Sequence, residues 1–179
     1  TFDGCLTFVI GENGMDLAMK YGLPANQILK TGNWVGPLLV AAAENGVKKL
    51  LLFGYHGKLI KLSGGVFHTH HHLADGRIEI LTSLAFREGI SFDLIELISK
   101  STSVENALLT LEVSNPEAVS LIWSRMAKEI EIKSRSYVNR YLSSSMEIGS
   151  VLFDRKRQMR WAGLEGLKQI NSLGLILKR

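Results

Sequence analysis

The sequence predicts an α/β protein: a parallel-sheet Rossmann-like domain with a mainly helical second half ending in a strand. Three observations carry that expectation. Strand, turn and helix patterns alternate three times in the first 90 residues, the signature of a parallel sheet built from right-handed crossovers. One strand candidate, Lys49 to Tyr55, is a continuous apolar run, as a central strand covered on both faces must be. From Ser103 onward helical spacing dominates, and Glu147 to Phe153 is the one later segment of strand character.

The elements follow in order. Cys5 to Ile10 reads as a strand, Gly11-Glu12-Asn13-Gly14 as a tight turn, and the next residues to about Tyr21 as a helix. Gly22-Leu23-Pro24 breaks that helix, and Gln27 to Lys30 forms a second short strand ending in Thr31-Gly32-Asn33. Trp34 to Asn45 is the next helix, with Pro37 tolerated in its first turn and Gly46 as its stop. After the central strand comes a glycine- and histidine-rich loop, then a helix from Asp75 or Gly76 to Glu88, with Ile80, Leu81, Leu84 and Ala85 as its apolar stripe and Gly89 ending it. Ser103 caps a helix to about Leu111, and Asn115-Pro116-Glu117 starts a long amphipathic one through Val119, Trp123, Met126, Ile130 and Tyr137. Ser143-Ser144-Ser145 breaks it, Asp154 to Arg157 turns the chain after the late strand, and a final short helix is expected over Trp161 to Ile170.

A chain of 179 residues buries one sizeable core, so a single domain over 1–179 is expected. With 46% hydrophobic and 21% charged residues, the composition excludes disordered and fibrous classes. The net charge of +4 favours an anionic ligand but is too small and scattered to indicate nucleic acid. Cys5, the single cysteine, excludes an intramolecular disulfide and fits a reducing cytoplasm. No apolar run reaches the ~20 residues of a membrane span. The chain starts at Thr1, without a methionine or a signal peptide, which reads as a piece of a longer protein.

The chemistry concentrates between Lys48 and Leu84, behind the central strand. Ligands of open α/β sheets bind beyond the carboxyl ends of the strands. There lie Gly54, Gly57, Lys58, Lys61, Gly64, Gly65 and all five histidines, between positions 56 and 72. Lys58 and Lys61, three apart, share a face if their segment is helical, and suit ligand carboxylates. Gly54-Tyr55-His56-Gly57-Lys58 lacks the spacing and the Ser or Thr of a P-loop, which argues against nucleotide triphosphate hydrolysis. Gly11 to Gly14 can approach a cofactor through bare backbone, yet lacks the dinucleotide fingerprint and is equally a plain turn. Asn33 is a ligand contact or simply a helix cap. His68, His70 and His72 share a side if extended and invite a metal reading, but zinc sites usually add a carboxylate or thiolate from a distant position, and no metal ligand is assigned. Asp75, Arg77 and Glu79 decorate a helix start, and Arg155, Lys156, Arg157 and Arg160 read as a solvated face.

Taken together, Gly11-Glu12-Asn13-Gly14, Lys30 to Gly36, Gly54 to Leu62, Gly65 to His70 and Ala74 to Leu81 resemble the cobalt-precorrin-5B C-1 methyltransferase family of anaerobic cobalamin biosynthesis. The matches come in the family's order and at its intervals, densely over residues 7 to 90, and Val151 to Asp154 is similar to the family's tail. The resemblance is to the C-terminal part, implying a separate N-terminal α+β domain that this chain lacks. Departures stand at the centre of the pattern. The family's histidine after Gly54 is Tyr55 and the following isoleucine is His56, while its asparagine before Thr69-His70 is His68 and its serine after is His71.

The resemblance implies methyl transfer from S-adenosylmethionine to ring carbon C-1 of cobalt-precorrin-5B, giving cobalt-precorrin-6A. It implies cofactor contacts at Gly11, Glu12, Asn13, Gly14 and Asn33, and carboxylate-arm contacts at Lys58, Lys61, Thr69, Asp75 and Arg77. His70 and His56 are the implied catalytic side chains. The implied partner is an anionic cobalt tetrapyrrole, with no nucleic acid and no membrane, and a homo-oligomer is left open. The rival readings are a histidine-rich metal-binding module and an inactive binding fragment.

Overall fold

The computed structural model describes residues 2–11, 13–70 and 72–178. Its centre is a sheet of five strands in the order β2-β1-β3-β4-β5, formed by β1 (Cys5–Ile10), β2 (Ile28–Thr31), β3 (Lys49–Tyr55), β4 (Glu147–Phe153) and β5 (Met159–Ala162). The first four are parallel, and β5 returns antiparallel to β4 through a bulge between Leu152 and Phe153. Both faces of the central strands are buried by the period-two alternation of their side chains. Phe8, Ile10, Leu50, Leu52, Ile148 and Leu152 point into one layer, and Val9, Leu51, Phe53, Val151 and Phe153 into the other.

The first layer holds α2 (Val35–Glu44), α3 (His56–Ser63), α4 (Arg77–Arg87), α5 (Phe92–Ser99), α6 (Val104–Ser114) and α7 (Pro116–Asn139). The second holds α1 (Met15–Lys20) and α8 (Leu164–Ser172). At 24 residues, α7 is about 36 Å long and backs much of the sheet. Its start is set as the sequence implies, with Pro116 at the first position and the Asn115 side chain accepting from Ala118 N at 3.0 Å. Among the described residues no helix is long and apolar enough to cross a membrane.

Three elements differ from the sequence reading. The segment after the central strand is a helix, α3, not a loop: its glycines sit at the first turn and just past the end, and Leu59, Ile60 and Leu62 bury between them. A further helix, α5, has no counterpart among the elements expected from the sequence. The expected final helix over Trp161 to Ile170 is split, because Met159 and Trp161 alternate with half-buried Arg160 and Ala162 as β5 pairs with β4. The helix proper begins at Leu164.

One buried carboxylate joins the second half of the chain. Glu131 of α7 is 3% exposed, and its Oε1 accepts from Ser150 N of β4 at 3.0 Å and Gly166 N of α8 at 2.8 Å, while Oε2 accepts from Glu165 N at 3.1 Å. Burial pushes this carboxyl's pKa up while the three amides pull it back. Gly163 has no side chain for a plain reason: a Cβ there would stand 2.1 Å from the Glu131 carboxyl carbon.

Candidate active site

Strand order places the crevice. From β1 the chain moves outward to β2, then crosses back to β3 on the other side, so the connections leaving β1 and β3 diverge at their carboxyl ends. Into that divergence open the turn after β1, the start of α3 and the loop between α3 and α4.

Gly11 leaves β1 at φ 99°, a left-handed conformation that glycine adopts without strain. Lys58, in the first turn of α3, lies alongside it: a Cβ on Gly11 would be 3.3 Å from Lys58 Cδ and 3.8 Å from its Nζ. The Lys58 ammonium thus spans the switch point between β1 and β3, and makes no ion pair among the described residues. Asn13 is exposed and Gly14 caps α1 without a side-chain bond, whereas Glu12 lies outside the described residues.

On the β2 side, residues 33–36 and 67–69 zip together. Thr69 N donates to Asn33 O at 2.9 Å, Gly36 N to Phe67 O at 3.1 Å, and Thr69 Oγ1 to Asn33 Oδ1 at 3.1 Å. Asn33 is therefore not the cap of α2, a position held by Trp34; its side-chain oxygen ties down the histidine segment, and its amide Nδ2 makes no hydrogen bond among the described residues. The Trp34 indole meets His68 edge-on at 4.3 Å. His70 and His72 stack with ring centroids 5.1 Å apart, and His68 lies 6.5 Å from His70. Among the described residues no three His, Cys, Asp or Glu side chains converge to hold a metal ion.

Lys58 and Lys61 diverge. Lys61 is 2% exposed, and its ammonium donates to Thr69 O at 3.3 Å and to Ala74 O, clamping the histidine segment from below. Burial holds its pKa below the ordinary lysine range. Its direction of bonding makes it a fastener of the loop, with its charge spent on two carbonyls. Beyond that loop, Arg77 grips Asp75 through Nε to Oδ1 at 2.5 Å and Nη2 to Oδ2 at 3.0 Å. The guanidinium holds the Asp75 carboxyl below the usual carboxylate range.

His56 is fully buried, packed against Tyr55, Trp123 and Trp161. The Trp123 indole N–H donates to His56 Nδ1 at 3.1 Å. An indole nitrogen only donates, so Nδ1 is the acceptor and the imidazole proton sits on Nε2, 2.8 Å from Glu105 Oε2. The Tyr55 hydroxyl donates to the same oxygen at 2.7 Å. The exchange of residue types at positions 55 and 56 thus sends both side chains to one carboxylate. Nitrogen-15 spectra of the histidines should show a protonated Nε2 and a bare Nδ1 for His56; the opposite tautomer would contradict this arrangement.

Glu105 and Trp123 escaped the sequence reading. Glu105 looks like an acid placed for dipole reasons in the first turn of a helix, and only the packing of α6 against the end of β3 reveals its partners. Arg155, on sequence grounds part of a solvated face, stands in the β4–β5 turn near enough to act on both Glu105 and Tyr55. A cavity of about 580 Å³ lies elsewhere, between α7, β5, α8 and the C-terminal segment.

Comparison with known proteins decides the family. The model of the C-terminal domain of CbiD matches residues 68–163, more than half of the chain. The chain belongs to the CbiD family. It is 98% identical over 178 residues to the cobalt-precorrin-5B C(1)-methyltransferase of Prochlorococcus marinus strain NATL2A, covering 99% of this chain and 47% of that protein. The protein of the same name from strain MIT 9313 is 55% identical over 174 residues, 97% of this chain and 45% of the relative. That from Synechococcus sp. strain CC9902 is 54% identical over 162 residues, 90% and 44% respectively. The CbiD chain described here spans about half the length of the curated relatives it matches. No solved structure matches it.

Proposed function

We propose that this chain is part of a C-methyltransferase that moves the methyl group of S-adenosylmethionine to ring carbon C-1 of cobalt-precorrin-5B, giving cobalt-precorrin-6A. The observation that carries the reading is the β1/β3 switch point, where a glycine turn and the Lys58 cation meet at the carboxyl ends of the central strands. The fit to the methyl donor rests on Gly11, whose bare backbone opens the turn after β1, and on the Asn33 amide, which follows the neighbouring strand β2. The bound donor supplies an activated methyl on a sulfonium leaving group.

What the chain must supply is placement. Lys58 and Arg77 anchor carboxylate arms of the macrocycle by charge-assisted hydrogen bonds. Thr69, buried and tied to Asn33, sets the height of the histidine segment, and Lys61 holds that segment from beneath. His70, half-buried at its end, receives the proton released as the new bond forms, or hydrogen-bonds a substrate arm. Fixing the methyl in line with the ring carbon is worth far more than any one proton transfer. A cytoplasmic reaction belongs to this reading, and the single cysteine, which can form no intramolecular disulfide, is compatible with it.

Two titrations test this. S-adenosylhomocysteine should bind the chelator-treated chain with one-to-one stoichiometry; failure to bind removes the donor site from these residues. Lys58→Ala should raise the Kd for cobyrinic acid, a polycarboxylate cobalt corrin, about tenfold, the scale of one charge-assisted contact, and leave S-adenosylhomocysteine unaffected. Equal losses for both ligands would count against the assignment of Lys58 to the acceptor.

A further inference from the structure

We infer that Glu105 is a positioning residue of this site, acting through Tyr55 to set the wall that the anionic acceptor meets at the end of β3. The inference rests on the methyltransferase reading and extends it to a residue outside the crevice motifs.

Four side chains from four elements close on one another here. Glu105 of α6 receives Tyr55 Oη–H at 2.7 Å and His56 Nε2–H at 2.8 Å on the same oxygen, and His56 is held from behind by Trp123 of α7 at 3.1 Å. His56 has no exposure at all, so it cannot touch a ligand; what it contributes is a fixed second donor to Glu105. Glu105 and Tyr55 are the members that reach the surface, and Tyr55 stands half-buried at the strand end. Its ring lies across the first turn of α3, where a Cβ on Gly57 would stand 2.6 Å from Tyr55 Cε1. Lys58 is the next residue, so the Tyr55 ring and the Lys58 stem leave the same turn.

Around the ring, positive charge arrives from two further elements. Arg77 of α4 and Arg155 of the β4–β5 turn both bear on the Tyr55 hydroxyl, and Arg155 on Glu105 as well. A carboxylate arm reaching Lys58 therefore passes a phenol whose proton is already committed to Glu105 and whose ring cannot swing. Without the Glu105 anchor the phenol is free to rotate toward the arginines and into the path of that arm. The Glu105 carboxylate also offsets the Arg155 charge in the ligand-free state, while Arg77 is held by Asp75.

The test is a double-mutant cycle on the Kd for cobyrinic acid, using Glu105→Gln, Tyr55→Phe and the pair, with thermal unfolding measured alongside. Glu105→Gln is isosteric and keeps an acceptor, so the fold is retained, while the two charge-assisted bonds become neutral ones. Expected are Kd increases of about five- to tenfold for each single variant and no further increase for the double, because both act through one ring orientation. S-adenosylhomocysteine affinity should stay unchanged, a separation that general loosening of the fold would not produce. Additive effects, or cobyrinic acid affinity unchanged in both single variants, would overturn the inference and leave the methyltransferase reading standing. Wild-type chain that binds neither ligand would instead remove that reading, and this inference with it.

Discussion

Glu131→Ala lowers the free energy of unfolding by about 3–5 kcal/mol, the scale of two buried amides and one partly buried amide losing their acceptor less the relief of not burying a carboxylate. Ser150 N, Gly166 N and Glu165 N all lose their partner at once, and the first two have no route to water because strand and helix are in contact there. Gly166 sits so close to β4 that a Cβ would lie 2.1 Å from Ser150 O, so α8 cannot shift to find another acceptor without leaving the sheet. Glu131→Gln should cost less, about 1–2 kcal/mol, since its remaining oxygen still serves two amides while its NH2 group faces the third. Chemical denaturation of the two variants checks both values. Equal losses would mean that packing volume, and not the acceptor pattern, is what Glu131 provides.

Lys61→Met acts on the site more than on the core. Met fills the space of the lysine stem, but Thr69 O and Ala74 O lose their shared donor. Ala74 is exposed and turns to water, whereas Thr69 is 4% exposed and does not. Amide exchange over residues 69–75 should therefore quicken about ten- to a hundredfold, the scale of one buried hydrogen bond, with the sheet unaffected. The ionisation of Lys61 gives a second readout. Burial lowers its folded pKa, with Asp75 opposing and Arg77 and Lys58 assisting, so below the usual 10.5 there is a window in which the unfolded chain holds a proton that the folded one has released. More protons on the unfolded state means that stability rises with pH through that window. Lys61→Met should flatten this rise; a variant that keeps it would show that another group is responsible.

The same residue shows where reading the sequence stops. Lys58 and Lys61 look alike on paper, two ammonium groups three apart in a glycine-rich stretch. Their difference depends on what lies across from each, Gly11 in one case and the underside of the histidine segment in the other, and neither neighbour is near in sequence. Glu105 and Glu131 are harder still, since an isolated glutamate in a helix carries no pattern that distinguishes a solvated side chain from a buried hub.

The parallel sheet, its central strand, the long helix with its Asn115-Pro116 start and the crowding of chemistry beyond β3 were all determined by the sequence alone. Those features are local: strand burial on both faces, helix spacing and caps act within a few residues. The identity of α3 as a helix, the return of β5, the burial of Lys61 and His56 and the convergence of Tyr55, His56 and Trp123 around Glu105 were decided only by the tertiary structure. Each depends on contacts between residues far apart along the chain, where burial and partner geometry override what the residue types alone suggest.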